Sequence, residues 1–471
     1  MNFQRAESAL TTGIEKLAAA RKQIILESET NIIPTGRMFY VSNRGNNASD
    51  GTSPSASWQT LDRVSSADLK PGDTVFFKRG DIFRGFLQAK PGVTYSAYGK
   101  GHKPMLFTSP FNGAKFGKWL KTDVPDVYRF SEKIYDDVGC IIFDVGYAYA
   151  TKATVDFSTM TNVTTGKKFE SYRDLEEDLS FYHDLGGPNL RGTEENSTLY
   201  LKSTMGAPDE RFYDIEFGIR KNCINIGSAD HVRINNLCVK YCGCHGVGAG
   251  TVDGLTVDHC EFGWIGGSVQ FYKDSGKPVR FGNAIEIYGG CSDYTVESCY
   301  IHDIYDAGIT HQFSSGGDQE VIMKDISYHN NIIENCVYSI EYFMGKPDAD
   351  ATRKISHVRI YDNIMRFAGY GFGRQRPDKS PDAHIKSWDH MNTAENVEIF
   401  DNIFQRSRYM MLHIACDDAD CMPIVRNNIF LQTEGGSFGR IGAIPTADLP
   451  YTDEAVSSQA YVDDSNIFYV L

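Results

Sequence analysis

Two stretches in the C-terminal half share one template: Val358-Arg-Ile-Tyr-Asp-Asn-Ile-Met365 and Val397-Glu-Ile-Phe-Asp-Asn-Ile-Phe404. In both, a strand-like run of alternating apolar residues is followed by Asn and then by mostly apolar residues. Six further stretches match this template, and they place the anchor residues at Asn236, Cys260, Cys299, Asn331, Asn363, Asn402, Asn428 and Asn466. Successive anchors are 24, 39, 32, 32, 39, 26 and 38 residues apart.

These intervals are typical of one coil of a parallel β-helix with loops of variable length. Each repeat contains two or three strand-length runs, which fits the four-stranded blade of a propeller less well. A single coil cannot bury its inner face, but stacked coils share a continuous apolar core. An Asn column suits such a stack, because Asn tolerates the left-handed conformation of a sharp bend and its amides can hydrogen-bond along the column. The repeat therefore predicts an all-β solenoid.

The composition limits the partners and the compartment. The chain has 471 residues and a net charge of −14, which argues against a nucleic-acid or membrane partner. No apolar run reaches the length of a transmembrane helix. The first residues lack the apolar core of a signal peptide, and the 11 cysteines are scattered, so the sequence as it stands predicts a cytoplasmic protein. A secreted or periplasmic protein is the alternative if a signal peptide has been removed.

The first 35 residues contain a predicted helix. Over residues 3–27 the apolar side chains, among them Leu10, Ile14 and Ile25, roughly trace one face. A solenoid needs a cap on its terminal coil, because that coil presents bare strand edges. We therefore interpret residues 1–35 as an N-terminal capping helix.

The next segment carries a family resemblance. Phe39–Leu61 combines a strand with a Gly/Asp-rich turn that reaches Asp50-Gly-Thr52, and Leu69-Lys-Pro-Gly-Asp73 and Pro91-Gly-Val-Thr-Tyr95 follow it. This opening resembles the first coils of right-handed parallel β-helix proteins of the pectate-lyase-like superfamily, which act on carbohydrates. The resemblance covers the opening and the coils from about residue 221 onward. It implies a right-handed parallel β-helix with its first coils at 36–102 and its main body at 221–471.

Residues 103–220 interrupt the repeat with short strands and turn-rich segments, which predicts an inserted β-rich subdomain. This layout is similar to that of β-helix glycoside hydrolases that carry a β-sandwich near the start of the helix. The insert either forms one wall of a substrate cleft or only packs against the solenoid.

The resemblance implies that glycans bind along a groove on one outer sheet. Aligning the strands places Glu286, Thr310, Glu341 and Gly373 in one column, and the alternation of a strand turns Glu286 and Glu341 outward. Asp306 lies where the loop leads into the strand of the coil between them. Because glycoside hydrolysis uses two carboxyl groups, we predict that two of Glu286, Asp306 and Glu341 are catalytic. The plain alternative is that the glutamates are ordinary exposed charges and that Asp306 is a turn residue.

Six further residues are candidates for substrate binding. His311, Tyr342, Arg374 and His413 align in the column next to Glu286, where His311 could orient a carboxylate and Arg374 could bind a sugar carboxylate or hydroxyl. The complete predicted set is His245, Trp264, His311, Tyr342, Arg374 and His413. Each has a structural alternative: the histidines could stack within the coil, Arg374 could pair with an acid, and Trp264 could pack in the core.

A glycoside hydrolase is therefore the predicted function, with a carbohydrate substrate, no cofactor and no metal. Cys238, Cys242, Cys244 and His245 lie close together in sequence, but their spacing is not that of a standard zinc site. A polysaccharide lyase is the alternative, in which Arg374, His311 or Lys273 would act on a uronate, with calcium as an optional cofactor. A non-catalytic glycan-binding solenoid is the third possibility. Either a monomer or a homo-oligomer is compatible with the sequence.

Overall fold

Three long parallel sheets wind along the chain in a computed structural model that describes residues 3–115, 117–314, 317–345, 351–376, 382–387, 393–416, 418–434, 436–442 and 463–471. A typical coil passes through Tyr294–Glu297, Tyr300–Ile304 and Ala307–Phe313 and returns to the first sheet at Val321–His329. The architecture is a right-handed parallel β-helix, which confirms the predicted fold class. The described residues contain no helix long and apolar enough to cross a membrane.

Sheet A has 14 described strands and forms one flank of the solenoid. Its pairings are parallel except around Val138–Phe143, which pairs antiparallel with both of its neighbours. The strands are Phe3–Arg5, Ile82–Arg84, Met105–Phe107, Val138–Phe143, Ala148–Tyr149, Ile215–Ile219, Cys238–Cys242, Glu261–Ile265, Tyr300–Ile304, Ile332–Glu334, Ile364–Ala368, Ile403–Ser407, Ile429–Gln432 and Ile467–Val470.

Sheets B and C complete the coil. Sheet B contains Met38–Val41, Thr74–Lys78, Thr94–Tyr98, Arg233–Asn235, Val252–Asp253, Thr256–Asp258, Cys291–Ser292, Tyr294–Glu297, Val321–His329, Arg353–Tyr361, Ala394–Phe400 and Ile424–Arg426. Sheet C contains Leu87–Gln88, Ile224–Gly227, Val247–Ala249, Ile285–Tyr288, Ala307–Phe313, Tyr338–Met344, Ala383–Ser387, Met410–Ala415 and Ser437–Gly442. Inward-facing aliphatic side chains from all three sheets stack into one apolar core.

The predicted Asn column lies at the bend between sheets B and A. Asn363 donates from Nδ2 to Oδ1 of Asn402 at 3.0 Å, and the same bond recurs from Asn331 to Asn466 along the stack. The left-handed conformation belongs to the residue before the anchor, such as Asp362, and not to the anchor itself. The anchor amide is therefore free to satisfy buried backbone groups of the neighbouring coils.

The first member of the predicted column is displaced by one residue. Cys238 pairs with Glu261, so Leu237 and not Asn236 lies beside Cys260. Asn236 itself adopts the left-handed conformation, and its side-chain oxygen accepts from Lys103 at 2.7 Å. The template could not distinguish these positions because Asn235 and Asn236 are adjacent.

The N-terminal segment runs along the side of the solenoid. Phe3–Arg5 pairs in parallel with Ile467–Val470, the last described strand of sheet A, so it covers a strand edge of the final coil. The helix Ser8–Glu27 then packs Ala18 and Ile25 against the outer face of sheet A. A strand of this segment, and not the predicted capping helix, therefore covers the edge of the final coil. The helix lies along the side of sheet A as a strap.

The inserted strands form a separate small sheet, with Trp119–Lys121, Val127–Phe130, Thr151–Lys152, Ser180–Asp184 and Thr198–Lys202. Val155–Asp156 and Thr161–Asn162 form a two-stranded ribbon beside it. Met105–Phe107 and Ile215–Ile219, at the two ends of the predicted insert, pair with Cys238–Cys242 and so belong to the solenoid.

A β-hairpin of Ser268–Tyr272 and Pro278–Phe281 rises from the main solenoid beside sheet C. The insert supports this hairpin: Asp137 accepts from the backbone N–H of Val269 at 2.8 Å, and Phe157 packs edge-on against Tyr272. The remaining helical segments are short, and they are Leu61–Ser66 and Pro208–Arg211 as α-helices and Pro54–Ala56, Asp144–Gly146, Tyr172–Asp174, Phe372–Gln375 and Ala419–Cys421 as 3₁₀ turns.

Candidate active site

A cleft of about 320 Å³ lies on the outer face of sheet C. Its floor comes from three neighbouring strands of that sheet, and the hairpin 268–281 forms one wall. The lining residues are His245, Gln270, Val279, Arg280, Phe281, Asn283, Glu286, Tyr288, Asp306, Gln312, Ser314, Glu341, Phe343 and Arg376. All three predicted catalytic residues and the predicted binding residue His245 are therefore in one cleft, and none of the lining residues comes from the insert.

Glu286 and Glu341 share one outward-facing column of sheet C. Glu286 pairs in register with Thr310, and Thr310 pairs with Glu341, as the alignment predicted. The two glutamates are thus two coils apart, roughly 9.6 Å between backbones at the usual strand spacing. The next member is Lys386 and not Gly373, because the chain forms a 3₁₀ turn at Phe372–Gln375 before it returns to the sheet.

Glu286 has several polar contacts in the cleft. Asn283 donates from Nδ2 to its Oε2 at 2.6 Å, and Nδ1 of His245 lies 3.0 Å from the same oxygen. Burial raises the pKa of Glu286, but the charge of His245 and hydrogen bonds from His245, Asn283 and Gln312 outweigh it, so the pKa lies below that of an ordinary glutamate. Glu286 is therefore held as a carboxylate.

His245 has two mutually exclusive partners for its Nδ1 atom. This nitrogen lies 3.0 Å from Oε2 of Glu286 and 3.1 Å from the backbone N of Asn283. When protonated, Nδ1 donates to the carboxylate; when deprotonated, it accepts from the Asn283 N–H. The ring also packs edge-on against Phe281, which fixes its orientation.

Asp306 forms an ion pair with Arg376, and both residues line the cleft. Arg374 was the arginine predicted for this region, but the 3₁₀ turn at Phe372–Gln375 leaves it exposed and outside the cleft. The assignment was wrong by two positions, because the strand expected at this point is replaced by a turn. Arg376 is the arginine that takes the predicted place.

Glu341 lies beside a buried lysine. Nζ of Lys386 is 3.8 Å from Oε1 of Glu341 and 3.9 Å from the centre of the Tyr338 ring. Lys386 is fully buried one coil beyond Glu341 in the same column. Sequence reasoning missed it, although the alternation Ala-His-Ile-Lys-Ser places Lys386 on the outward face once the correct strand is aligned.

His311 and Tyr342 are core residues, which contradicts their assignment to substrate binding. Both are essentially inaccessible, and their rings stack at 5.6 Å inside the solenoid. Nδ1 of His311 is 2.8 Å from the hydroxyl of Tyr328, and burial lowers the pKa of His311 to about 3. Each of them follows directly after a residue of the outward glutamate column, and side chains alternate along a strand. His311 and Tyr342 therefore point into the solenoid, as Ile287 does.

Two other predicted binding residues also lie outside the cleft lining. Trp264 is 8% exposed and packs against Tyr149 and Phe372 in a cluster between the insert and the solenoid, so it is a packing residue and not a sugar platform. His413 pairs with Lys386 and thus belongs to the glutamate column, not to the column of Ile287. It is buried two coils beyond Glu341.

A second outward column was missed by the sequence analysis. Tyr288, Gln312 and Phe343 pair in register two residues beyond Glu286, Thr310 and Glu341, and all three line the cleft. The alternation of the strand was the signal that could have revealed them. Phe281 of the hairpin adds another aromatic ring. Among the described residues, no cluster of three or more His, Cys, Asp or Glu is arranged to hold a metal ion.

Comparisons with known proteins give one curated relative and several distant structures. The chain is 31% identical over 126 residues to a lacto-N-biosidase of Bifidobacterium longum subsp. longum, and the match covers 24% of this chain and 8% of that protein. The matched part of the chain thus spans less than a tenth of the length of this relative. No family model matches.

The solved structures are similar at low sequence identity. The xylose complex of XylC has a TM-score of 0.49 at 10% identity, over 92% of this chain and 82% of that one. A lacto-N-biosidase from Eubacterium ramulus has a TM-score of 0.41 at 13% identity, over 98% and 71% of the two chains. A structure described as a glycoside hydrolase has a TM-score of 0.48 at 10% identity, over 92% and 96%.

Proposed function

We propose that this chain is a glycoside hydrolase that cleaves an oligo- or polysaccharide in the cleft on sheet C. One observation carries the proposal: Glu286, Asp306 and Glu341 line the same cleft, although Glu286 and Glu341 are 55 residues apart in sequence. Glycoside hydrolysis requires two carboxyl groups on either side of the scissile bond. The cleft supplies this arrangement on rigid strands, which hold catalytic groups more accurately than loops do.

We assign Glu286 as the base, because its contacts with His245 and Asn283 keep it ionised. We assign Glu341, the other glutamate of the same outward column in the cleft, as the proton donor, which protonates the leaving oxygen as the glycosidic C–O bond breaks. In this assignment, Glu286 removes a proton from the water that attacks the anomeric carbon. The backbones of Glu286 and Glu341 are two coils apart, roughly 9.6 Å. Side chains that project in parallel from such strands suit the wider carboxyl separation of inverting enzymes, about 6.5–9.5 Å, better than that of retaining enzymes, about 5–5.5 Å.

Asp306 takes a supporting role in this assignment. Its carboxylate is engaged by the guanidinium of Arg376, and the guanidinium lies over the rings of both Tyr305 and Tyr338. The ion pair therefore holds the carboxylate of Asp306 and the guanidinium of Arg376 in place in the cleft, next to the two glutamates.

The aromatic residues of the cleft suit a sugar ligand. Phe281, Tyr288 and Phe343 are distributed along the lining, and Tyr288 is partly exposed. Aromatic faces stack on the apolar C–H surface of sugar rings, while Gln270, Gln312 and Asn283 supply groups for hydroxyl recognition. The partial similarity to a lacto-N-biosidase is consistent with a glycan ligand.

A polysaccharide lyase is the second candidate. Arg280 and Arg376 line the cleft, so the site contains guanidinium groups that could neutralise a uronate. A lyase would remove the proton next to the uronate carboxyl group and leave an unsaturated product. The proposed hydrolase would leave a saturated product with a new reducing end.

Digestion of a glycan panel tests the proposal. The panel should contain neutral, amino-sugar and uronate-containing glycans, and each digest should be assayed for new reducing ends and for ultraviolet absorbance of an unsaturated uronate. Reducing ends without that absorbance are expected. Reducing ends with the absorbance would replace the hydrolase by the lyase, and a panel that is bound but not cleaved would identify a non-catalytic glycan-binding solenoid.

A further inference from the structure

We propose that Arg280 binds the carboxylate of an acidic sugar unit, so that the preferred ligand is a glycan containing a uronate or a related sugar acid. The inference deepens the proposed function and rests on it, because it assumes that a glycan occupies the cleft. It assigns the substrate class from a residue of the hairpin wall.

The Arg280 side chain is held rigidly. Its Nε donates to the backbone carbonyl of Gly267 at 2.7 Å, and Nη2 donates to Oε1 of Gln375 at 3.1 Å. The guanidinium lies 4.6 Å from the centre of the Tyr305 ring. These contacts use two of the three nitrogens and fix the direction of the third.

The third nitrogen, Nη1, has no acceptor within the part of the chain that the structure describes. Arg280 is 5% exposed, and it lines the cleft. A buried N–H group of a cation that has no acceptor is unfavourable, because its hydrogen bonds to water are removed and no other hydrogen bond replaces them. Nη1 itself is buried, so a ligand acceptor in the cleft would remove this cost by displacing the side chains that cover it.

The charge pairing of the site indicates that the acceptor is an anion. Each of the three carboxyl groups of the cleft already contacts a basic side chain: Glu286 with His245, Glu341 with Lys386 and Asp306 with Arg376. Arg280 forms no salt bridge among the described residues, and Asp137, the acidic neighbour whose charge acts on it, pairs with Lys152 at 2.5 Å. A sugar carboxylate would therefore pair with Arg280 directly, which a neutral hydroxyl would not do.

Binding of free monosaccharides tests this inference without requiring turnover. Glucuronic, galacturonic and N-acetylneuraminic acids are compared with glucose, galactose and N-acetylglucosamine by calorimetry and by ligand-observed NMR. At least one acid should bind about tenfold or more tightly than its neutral counterpart, the factor expected of one charge-assisted hydrogen bond. Arg280→Met should abolish this preference, and Arg280→Lys should retain only part of it.

Arg366→Met is the matched control, because Arg366 is also a buried arginine but pairs with Glu334 on sheet A. It should keep the preference for the acid. Neutral-sugar binding by Arg280→Met verifies that the cleft is still formed, and Arg280→Lys covers the case in which the methionine variant does not fold.

Equal binding of acidic and neutral sugars by the wild-type protein, or no binding of any acid, would overturn the inference. A preference that survives in both Arg280 variants would also overturn it. If neutral glycans are cleaved without any acid preference, the inference fails and the hydrolase stands. If the acids bind through Arg280 and no glycan is cleaved, the proposed function fails and the binding site stands.

Discussion

Glu286 and Glu341 face the same cleft from one column of sheet C, separated only by the rung of Thr310. Their environments differ: Glu286 is in contact with His245 and Asn283, whereas Glu341 lies 3.8 Å from Nζ of Lys386. Two carboxyl groups with different surroundings on one rigid face are the arrangement that acid–base catalysis needs.

His245 should control the acidic limb of the pH–activity profile. The charge of His245 lowers the pKa of Glu286, so the wild-type enzyme should lose activity only below the usual glutamate pKa of about 4.3. In His245→Gln the charge is gone, the pKa of Glu286 rises, and the acidic limb should move to higher pH. The measurement is kcat/KM against pH for both proteins.

His329→Gln is the control for this change, because His329 lies near Glu297 on sheet B, away from the cleft. It should leave the profile unchanged. An acidic limb that stays in place in His245→Gln would show that Glu286 is not the ionising base.

Glu341 should be dispensable for substrates with good leaving groups. If Glu341 protonates the leaving oxygen, Glu341→Gln should lose most of its activity on a natural glycan and keep most of it on an aryl glycoside whose phenolate needs no proton. Steady-state kinetics on the two substrates give the ratio. Equal losses on both substrates would rule out the proton-donor role.

The stability of the fold should fall as the pH drops below about 6.5. Burial lowers the pKa of His311 and of His384 to about 3 and that of His183 to about 4. These rings stay neutral in the folded chain while the unfolded chain takes up protons, so stability is complete above the unfolded pKa and is lost as the pH falls toward the folded pKa. Each histidine can contribute up to about 1.4 kcal/mol per pH unit.

Chemical denaturation between pH 7 and pH 4 measures this dependence, with the pH values chosen around the ordinary histidine pKa of about 6.5. His311→Gln should flatten the slope by about one proton, and His102→Gln, at an exposed position, should not change it. An unchanged slope in His311→Gln would contradict the burial of a neutral ring.

The N-terminal strap should contribute measurably to stability. Ile25 is buried against sheet A, whereas its neighbour Ile24 is 69% exposed. Ile25→Ala should lower the free energy of unfolding by about 2–4 kcal/mol, and Ile24→Ala should change it by less than about 0.5 kcal/mol. Similar effects of both substitutions would mean that the helix does not pack on the sheet in solution.

The repeat made the solenoid predictable, because one template recurs with a buried Asn whose amide bonds join neighbouring coils. The register of Glu286, Thr310 and Glu341 followed from the same alternation. His311 and Tyr342 were misassigned because a one-residue shift moves a side chain from the groove to the core. Arg374 was chosen because a strand was expected where the chain forms a 3₁₀ turn.

The walls of the cleft were not predictable in the same way. Arg280 and Phe281 reach the site from a hairpin. The residues of a hairpin do not follow the repeat, so they cannot be aligned with the strands of the coils. The contact of Asp306 with Arg376 joins residues 70 positions apart through a turn. Such contacts depend on the path of loops between coils, which the period of the repeat does not determine.

The most direct test of the central claim is kcat/KM of Glu286→Gln and Glu341→Gln on the best glycan of the panel, with Glu297→Gln on sheet B as the matched control. Both cleft variants should lose at least about 10²-fold in kcat/KM, since each removes a proton-transfer group, and the control should be within about twofold of wild type. Cleft variants that retain wild-type kcat/KM on that glycan would contradict the assignment of Glu286 and Glu341 as the catalytic pair.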